Sequence, residues 1–241
     1  MFEDVVNSIS RERDKIRYPD KTGGCLVKRT LVHTREGLRP IEQIKIGDYV
    51  LSSPEDGSGG AEYKRVVKTF VHTNRVIAAF LWWGAEDGGI YRVAGTPNHP
   101  FWVEGVGWTR GDCLNPDDEI RSINGGAVEV NRCQQIYRTK LPGVGWRSAL
   151  SRDDEGAWGG CFNYEECMQF DDPTEQYLYL DPEIENSENP YLAVTVYNIE
   201  VEDFHTYYVH PHGVWVHNTN CDERIELSNG DGVLPEPDRL F

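Results

Sequence analysis

Three stretches of this chain carry side chains that could act on a peptide bond. Near the end, Gly213-Val-Trp-Val-His-Asn-Thr-Asn220 delivers His217 and Asn218 directly ahead of the hydroxyl residue Thr219. An asparagine amide can attack its own carbonyl carbon, close a succinimide and break the backbone after itself. That reaction is very slow unless a neighbouring imidazole holds the carbonyl oxygen and protonates the leaving amine. In the middle, Gly95-Thr-Pro-Asn-His-Pro-Phe101 sets Thr96 and His99 three apart on a turn stiffened by Pro97 and Pro100. A hydroxyl and an imidazole so placed can face one backbone carbonyl, although a histidine that merely caps a turn has the same spacing. Near the start, Gly23-Gly24 precedes Cys25. A lone cysteine is ordinarily a buried structural thiol; a thiol behind a residue with no side chain can also be a nucleophile.

The remaining histidines and cysteines suggest less. His210-Pro-His212 has no carboxylate or thiol at ligand spacing and reads as a polar turn, so no metal is expected. His33 and His72 sit in strand-like runs and receive no role. The six cysteines, at 25, 113, 133, 161, 167 and 221, contain no CxxC pair, which argues against a zinc ribbon or a dense disulfide framework. Cys161, Cys167 and Cys113 could pair or hold zinc. Cys221 is a thiol close to the predicted cut.

The elements that must position these groups are short strands. Apolar alternation marks strands near 27–34, 49–51, 66–72, 76–83, 90–93, 101–103, 128–137, 192–201, 206–209 and 214–216, punctuated by Gly37, Pro40 and Gly47-Asp48. Many short strands at regular spacing predict an all-β domain. Residues 1–24 read as a polar, flexible leader with a mild helical spacing. Between Leu150 and Pro190 lie 12 Asp+Glu and one Arg, a segment charge of 1 − 12 = −11. Its strand signal is poor, so it reads as a solvated acidic insertion, or else as a docking surface for a basic partner.

A net charge of −16, from 24 Lys+Arg and 40 Asp+Glu, argues against nucleic acid or an anionic membrane as partner. No apolar run approaches the roughly 18 residues needed to span a bilayer, and Met-Phe-Glu-Asp lacks the features of a signal peptide. The chain as given reads as cytoplasmic.

Four motifs in order resemble a known family. Cys25-Leu-Val-Lys-Arg-Thr-Leu-Val-His-Thr with Gly37-Leu-Arg-Pro-Ile-Glu-Gln-Ile-Lys-Ile-Gly-Asp-Tyr-Val-Leu-Ser52 resembles the opening of a Hint (hedgehog/intein) domain. Thr96-Pro-Asn-His99 is similar to the Thr-x-x-His motif of that family. Val196-Tyr-Asn-Ile-Glu-Val-Glu-Asp-Phe-His-Thr-Tyr-Tyr-Val209 and Gly213-Val-Trp-Val-His-Asn218 are similar to its last two motifs. The likeness spans residues 25–218, with an acidic insertion at about 140–190 and 219–241 as the start of a released flank.

The resemblance implies a horseshoe-like Hint/intein β-fold that processes itself in a single turnover, without a cofactor, on its own flanks. Cys25 is then expected to attack the Gly24 carbonyl and form a thioester. Thr96 and His99 polarise that amide, with His99 giving a proton to the Cys25 nitrogen. Asn218 cyclises and breaks the Asn218–Thr219 bond, helped by His217 and His205. If Thr219 also attacks the thioester, the flanks are spliced together. Asn198 stands where splicing members commonly carry Asp, and the closing motifs look most like bacterial pretoxin Hint domains ahead of secreted toxins. Both favour C-terminal cleavage. Leu26 stands where Phe is usual, and only 23 residues follow Asn218, fewer than a toxin domain needs. A non-catalytic Hint-derived binding module is the other reading; nothing after Asn218 resembles the sterol-binding extension of hedgehog-like members.

Overall fold

The computed structural model describes residues 23–83, 89–148, 159–166, 168–169 and 181–218. Residues 1–22 of the leader, Thr219, Cys167 and Cys221 lie outside the described residues. In the first half the strands are β1 (Leu26–Val27), β2 (Leu31–Thr34), β3 (Gly37–Pro40), β4 (Tyr49–Ser52), β5 (Glu62–Val76) and β6 (Ala78–Trp83). Then follow β7 (Ile90–Gly95), β8 (Pro100–Val103), β9 (Gly107–Arg110), β10 (Glu119–Arg121) and β11 (Ala127–Gln135). A second group comprises β12 (Tyr137–Arg138), β13 (Val144–Ser148), β14 (Gly159–Asn163) and β15 (Met168–Gln169). The chain ends in β16 (Ala193–Val201), β17 (Thr206–Val209) and β18 (Val214–His217).

The fold is all-β, as the strand spacing predicts. Fourteen strands form one antiparallel sheet that begins β10-β11-β6-β7-β1-β16 and continues β5-β4-β2-β17-β18-β8. Ile120 pairs with Val103, so β10 returns to β8 and the sheet closes on itself. Closure brings β1 and β18 into one structure, although they lie at opposite ends of the sequence.

Side chains leave a strand alternately to its two faces, and β6 is apolar on both. Its Ala78, Phe80 and Trp82 join the larger core with Leu26, Phe101, Ile199, Tyr207 and Val216. Its Ala79 and Leu81 face a second core with Cys25, Val27, Ile136, Tyr164 and Val196. Strand β1 therefore lies between two packed layers, with Cys25 directed into the smaller one.

The acidic stretch departs from its expectation of poor strand content. β12 to β15 form a four-stranded antiparallel sheet. Buried Val144, Trp146 and Cys161 pack beneath it, and Tyr164 reaches the core that covers Cys25. Only β14 and β15 fall within Leu150–Pro190, and β12 to β15 contain no Asp or Glu: the acidic residues lie between and after these short strands, not in them. The runs at 66–72 and 76–83 also differ from expectation: β5 is continuous from Glu62 to Val76 and breaks only at Ile77. Strands β3, β9 and β10 had no sequence signal, being short and rich in glycine, proline or charge. Among the described residues Cys25, Cys113, Cys133 and Cys161 form no disulfide. Among the described residues no group of three His, Cys, Asp or Glu is arranged to hold a metal. No described helix is long and apolar enough to cross a membrane.

A third, aromatic cluster sits beneath the C-terminal hairpin. Trp215 packs against Trp108 at 4.8 Å and Trp102 at 5.0 Å between ring centroids, with Tyr208 stacked on its other side. Trp215 is fully buried, so Trp215→Ala should destabilise the domain by about 3–5 kcal/mol, measured as the shift in urea unfolding.

Candidate active site

The N-terminal half of the site is built where β1 meets β7. Cys25 N donates to Thr96 Oγ1 at 3.0 Å, and Thr96 N donates back to the Cys25 carbonyl at 2.8 Å. The Cys25 nitrogen is thus held by Thr96, whereas His99 lies on the Gly24 side. A tight turn, with His99 N donating to the Thr96 carbonyl, places the His99 ring there. A Cβ on Gly24 would stand 2.6 Å from His99 Cα and 2.8 Å from His99 Nδ1. Only glycine lets the backbone approach this closely.

Asn198 of β16 closes the other side. Its Nδ2 donates to the Gly24 carbonyl at 2.7 Å. Its Oδ1 accepts from Ile199 N at 2.8 Å and from the Tyr207 hydroxyl at 2.9 Å. Two donors on the oxygen fix which way the amide faces, so the nitrogen must point at Gly24. All of this is buried.

The C-terminal half lies on the β17–β18 hairpin. Asn218 N donates to the His205 carbonyl at 2.9 Å, and Thr206 pairs with His217 across the hairpin. His205 holds a left-handed φ of 55° at the end of a turn that also contains Asp203 at 66°. Side chains rarely adopt that region without compensation. Here Glu200 Oε1 bonds His205 Nδ1 at 2.6 Å. His217 is buried, packs edge-on against Trp108 at 4.9 Å, and bonds Glu55 Oε2 through Nε2 at 3.0 Å. Asn218 is buried, and neither Nδ2 nor Oδ1 has a hydrogen-bond partner among the described residues.

Burial dominates the electrostatics. The His99 pKa falls to about 3, chiefly through desolvation; the Gly24 backbone works against the shift and the charge of His217 adds to it. His217 is also lowered, first by burial, with Glu55 and the Asn218 backbone favouring the protonated ring and His205 opposing it. The two halves are thus within electrostatic reach, since the charge of His217 disfavours one on His99.

Of the residues singled out in the sequence, Cys25, Thr96 and His99 meet around Gly24, and His205, His217 and Asn218 meet at the end of β18. Thr219 lies outside the described residues. His33 Nε2 and the His210 carbonyl are 2.8 Å apart, and Trp82 Nε1 donates to His212 Nδ1 at 3.1 Å. His210 and His212 therefore belong to a packed polar turn. Sequence reasoning missed Glu55 and Glu200. Glu200 stands five residues before His205 and could have been found from that spacing; Glu55 is 162 positions from its partner.

A closed antiparallel sheet that joins Gly24–Cys25 to His217–Asn218 is the fold of the Hint and intein class. The solved structure of a bacterial intein-like domain from Clostridium thermocellum is similar at 23% identity and a TM-score of 0.51, covering 80% of this chain and 98% of that one. A DnaB intein from Synechocystis gives 11% identity and a TM-score of 0.49, over 81% of this chain and 99% of its own. Comparison with curated proteins gives no match. The family model described as the pretoxin HINT domain matches residues 31–139 of the chain. That span includes Thr96 and His99 and leaves Cys25, His205, His217 and Asn218 outside it.

Because the folded pKa of His99 lies far below the ordinary histidine value of about 6.5, the unfolded chain binds the extra proton and the folded chain does not. Stability is therefore full above about pH 6.5 and declines as pH falls toward about 3. His210, lowered to about 4 by burial beside His212 and His33, adds to the same slope. Urea unfolding at pH 7 and at pH 4 should show the loss, and His99→Gln should flatten it.

Proposed function

We propose that this domain cuts its own backbone after Asn218 and so releases the segment that follows, in the manner of a pretoxin freeing its cargo. The observation that carries this reading is the state of the Asn218 side chain: buried, beside a buried histidine, and committed to no hydrogen bond among the described residues. An amide held by partners must shed them before its nitrogen can turn onto its own carbonyl carbon. The Asn218 amide has none to shed.

In the proposed step, Asn218 Nδ2 forms a bond to the Asn218 carbonyl carbon and the bond to the nitrogen of residue 219 breaks. Nδ2 gives up one proton and the departing amine gains one. His217 is placed to handle that transfer, and His205, held by Glu200, anchors the Asn218 backbone. Each general acid or base contributes a factor of about 10²–10⁴.

The same domain has the parts for a thioester at its other end. Cys25 Sγ would add to the Gly24 carbonyl carbon, and the Cys25 nitrogen would leave as an amine carrying the thiol's proton. Asn198 Nδ2 points at the oxygen that becomes negative. The neutral His99 ring beside Gly24 offers a hydrogen bond without charge. An amide at 198 can donate to that oxygen and cannot accept a proton, unlike a carboxylate. This favours independent C-terminal cleavage over coupled splicing. On this reading the substrates are the protein's own flanks, and the parent protein is one that bacteria export.

With a folded reporter fused after Phe241, intact mass followed over time should show release at Asn218. Asn218→Ala should abolish it, and Cys25→Ala should leave the rate within about twofold, since the first step then lies off the path. Release that persists in Asn218→Ala sinks the proposal. Release lost with Cys25→Ala would instead mean that the two ends act in sequence.

A further inference from the structure

The loop between β4 and β5 is held more firmly than a surface turn requires. Gly57 N donates to the Pro54 carbonyl at 3.0 Å, closing a turn over Pro54-Glu-Asp-Gly57. Ser53 Oγ meets the Tyr208 hydroxyl at 2.8 Å, and Thr206 Oγ1 donates to the Ser53 carbonyl at 2.6 Å. Trp108 Nε1 donates to the Glu55 carbonyl at 2.8 Å, and Arg121 Nη1 to the Gly57 carbonyl at 3.1 Å. Gly57 has a left-handed φ of 80°, and a Cβ there would sit 2.7 Å from the Trp102 ring. The bonds to Tyr208 and Thr206 fix the loop to the hairpin that ends in Asn218, the bond from Trp108 ties it to the tryptophans beneath, and Arg121 ties it to β10.

The result is one placed carboxylate. Glu55 Oε2 lies 3.0 Å from His217 Nε2, with the side chains 53% and 3% exposed. A pair of exposed charges is worth little, but here the imidazole end is out of water and its interaction is poorly screened. We infer that Glu55 is a positioning residue for cleavage after Asn218, holding the His217 ring by Nε2 so that Nδ1 is turned to the Asn218 backbone. Glu55 touches neither the reacting amide nor its carbonyl and acts through His217. A carboxylate on one ring nitrogen fixes the tautomer and makes the other nitrogen more basic, and it stabilises the imidazolium that forms during proton transfer.

The other groups facing His217 cannot substitute for it. His205 opposes a charge on His217, and Glu200 is engaged by His205. Trp108 gives only an aromatic edge. Glu55 is the acidic side chain on His217 among the described residues.

This inference rests on the cleavage reading, so its test has an arm that does not need cleavage. In the full chain carrying Asn218→Ala, the His217 ring is titrated by NMR with and without Glu55→Gln. Removing the charge and keeping the shape should move the His217 midpoint down by about one unit. In the chain with intact Asn218 and the reporter, Glu55→Gln should slow release at neutral pH by about tenfold and move the inflection of the rate profile to lower pH. Glu55→Asp should recover part of the rate. Near-UV circular dichroism of the tryptophan cluster reports that each variant is folded. An unmoved His217 midpoint, or an unchanged pH profile of release, overturns the role of Glu55. If the parent chain itself releases nothing, the cleavage reading fails, and the NMR arm still decides whether Glu55 governs His217.

Discussion

The bond from Asn198 to the Gly24 carbonyl is the constraint on which the site depends. It spans 174 positions of sequence, and it can form only because β1 is paired with β16 on one side and β7 on the other. The Asn198 oxygen is occupied by Ile199 and Tyr207, so its nitrogen has one direction left. Thr96 grips the next peptide nitrogen from the opposite strand. The peptide between Gly24 and Cys25 is therefore held at both its oxygen and its nitrogen by side chains that come from different strands of the closed sheet. Misplacing any one of those strands would release it.

The second half of the site depends on the same closure through a different route. β18 pairs with β8 at Val216 and Phe101, and β8 follows directly from the turn that carries His99. A buried imidazole next to Gly24 thus immediately precedes the strand that pairs with β18, two residues before Phe101. Electrostatic coupling between His99 and His217 is the physical trace of that adjacency. The smaller sheet of β12 to β15 contributes from outside by burying the layer into which Cys25 points.

Much of this was legible in the sequence, and the exceptions have physical causes. Strands such as β17 and β18 are apolar runs bounded by glycine, proline or asparagine, and they appear where the pattern puts them. Strand β3, Gly-Leu-Arg-Pro, carries poor strand formers and exists because its partner β2 supplies the hydrogen bonds. Strands β13 and β14, Val-Gly-Trp-Arg-Ser and Gly-Gly-Cys-Phe-Asn, are short and glycine-bearing and show no clean alternation along the sequence. Cys25, Thr96, His99, His205, His217 and Asn218 could be named because their chemistry is unusual and the family motifs order them. Asn198 could be named only through that likeness. Glu55 could not be named at all, for a glutamate between proline and aspartate in a turn looks like any solvent-facing residue until the fold sets a buried imidazole against it.

The uncommitted amide of Asn218 also has a thermodynamic meaning. Each buried polar group left without a partner costs a folded protein about 1–3 kcal/mol, and Asn218 leaves two such atoms, Nδ2 and Oδ1. Among the described residues, the folded chain therefore carries that cost at the amide which the proposed cleavage would use. Ring closure turns an NH2 into an NH and so removes one donor that wanted a partner. On the proposed reading, the sheet around Asn218 would then behave as a sprung latch, with the cost of the unpartnered amide borne by the intact chain and lowered once the ring has closed.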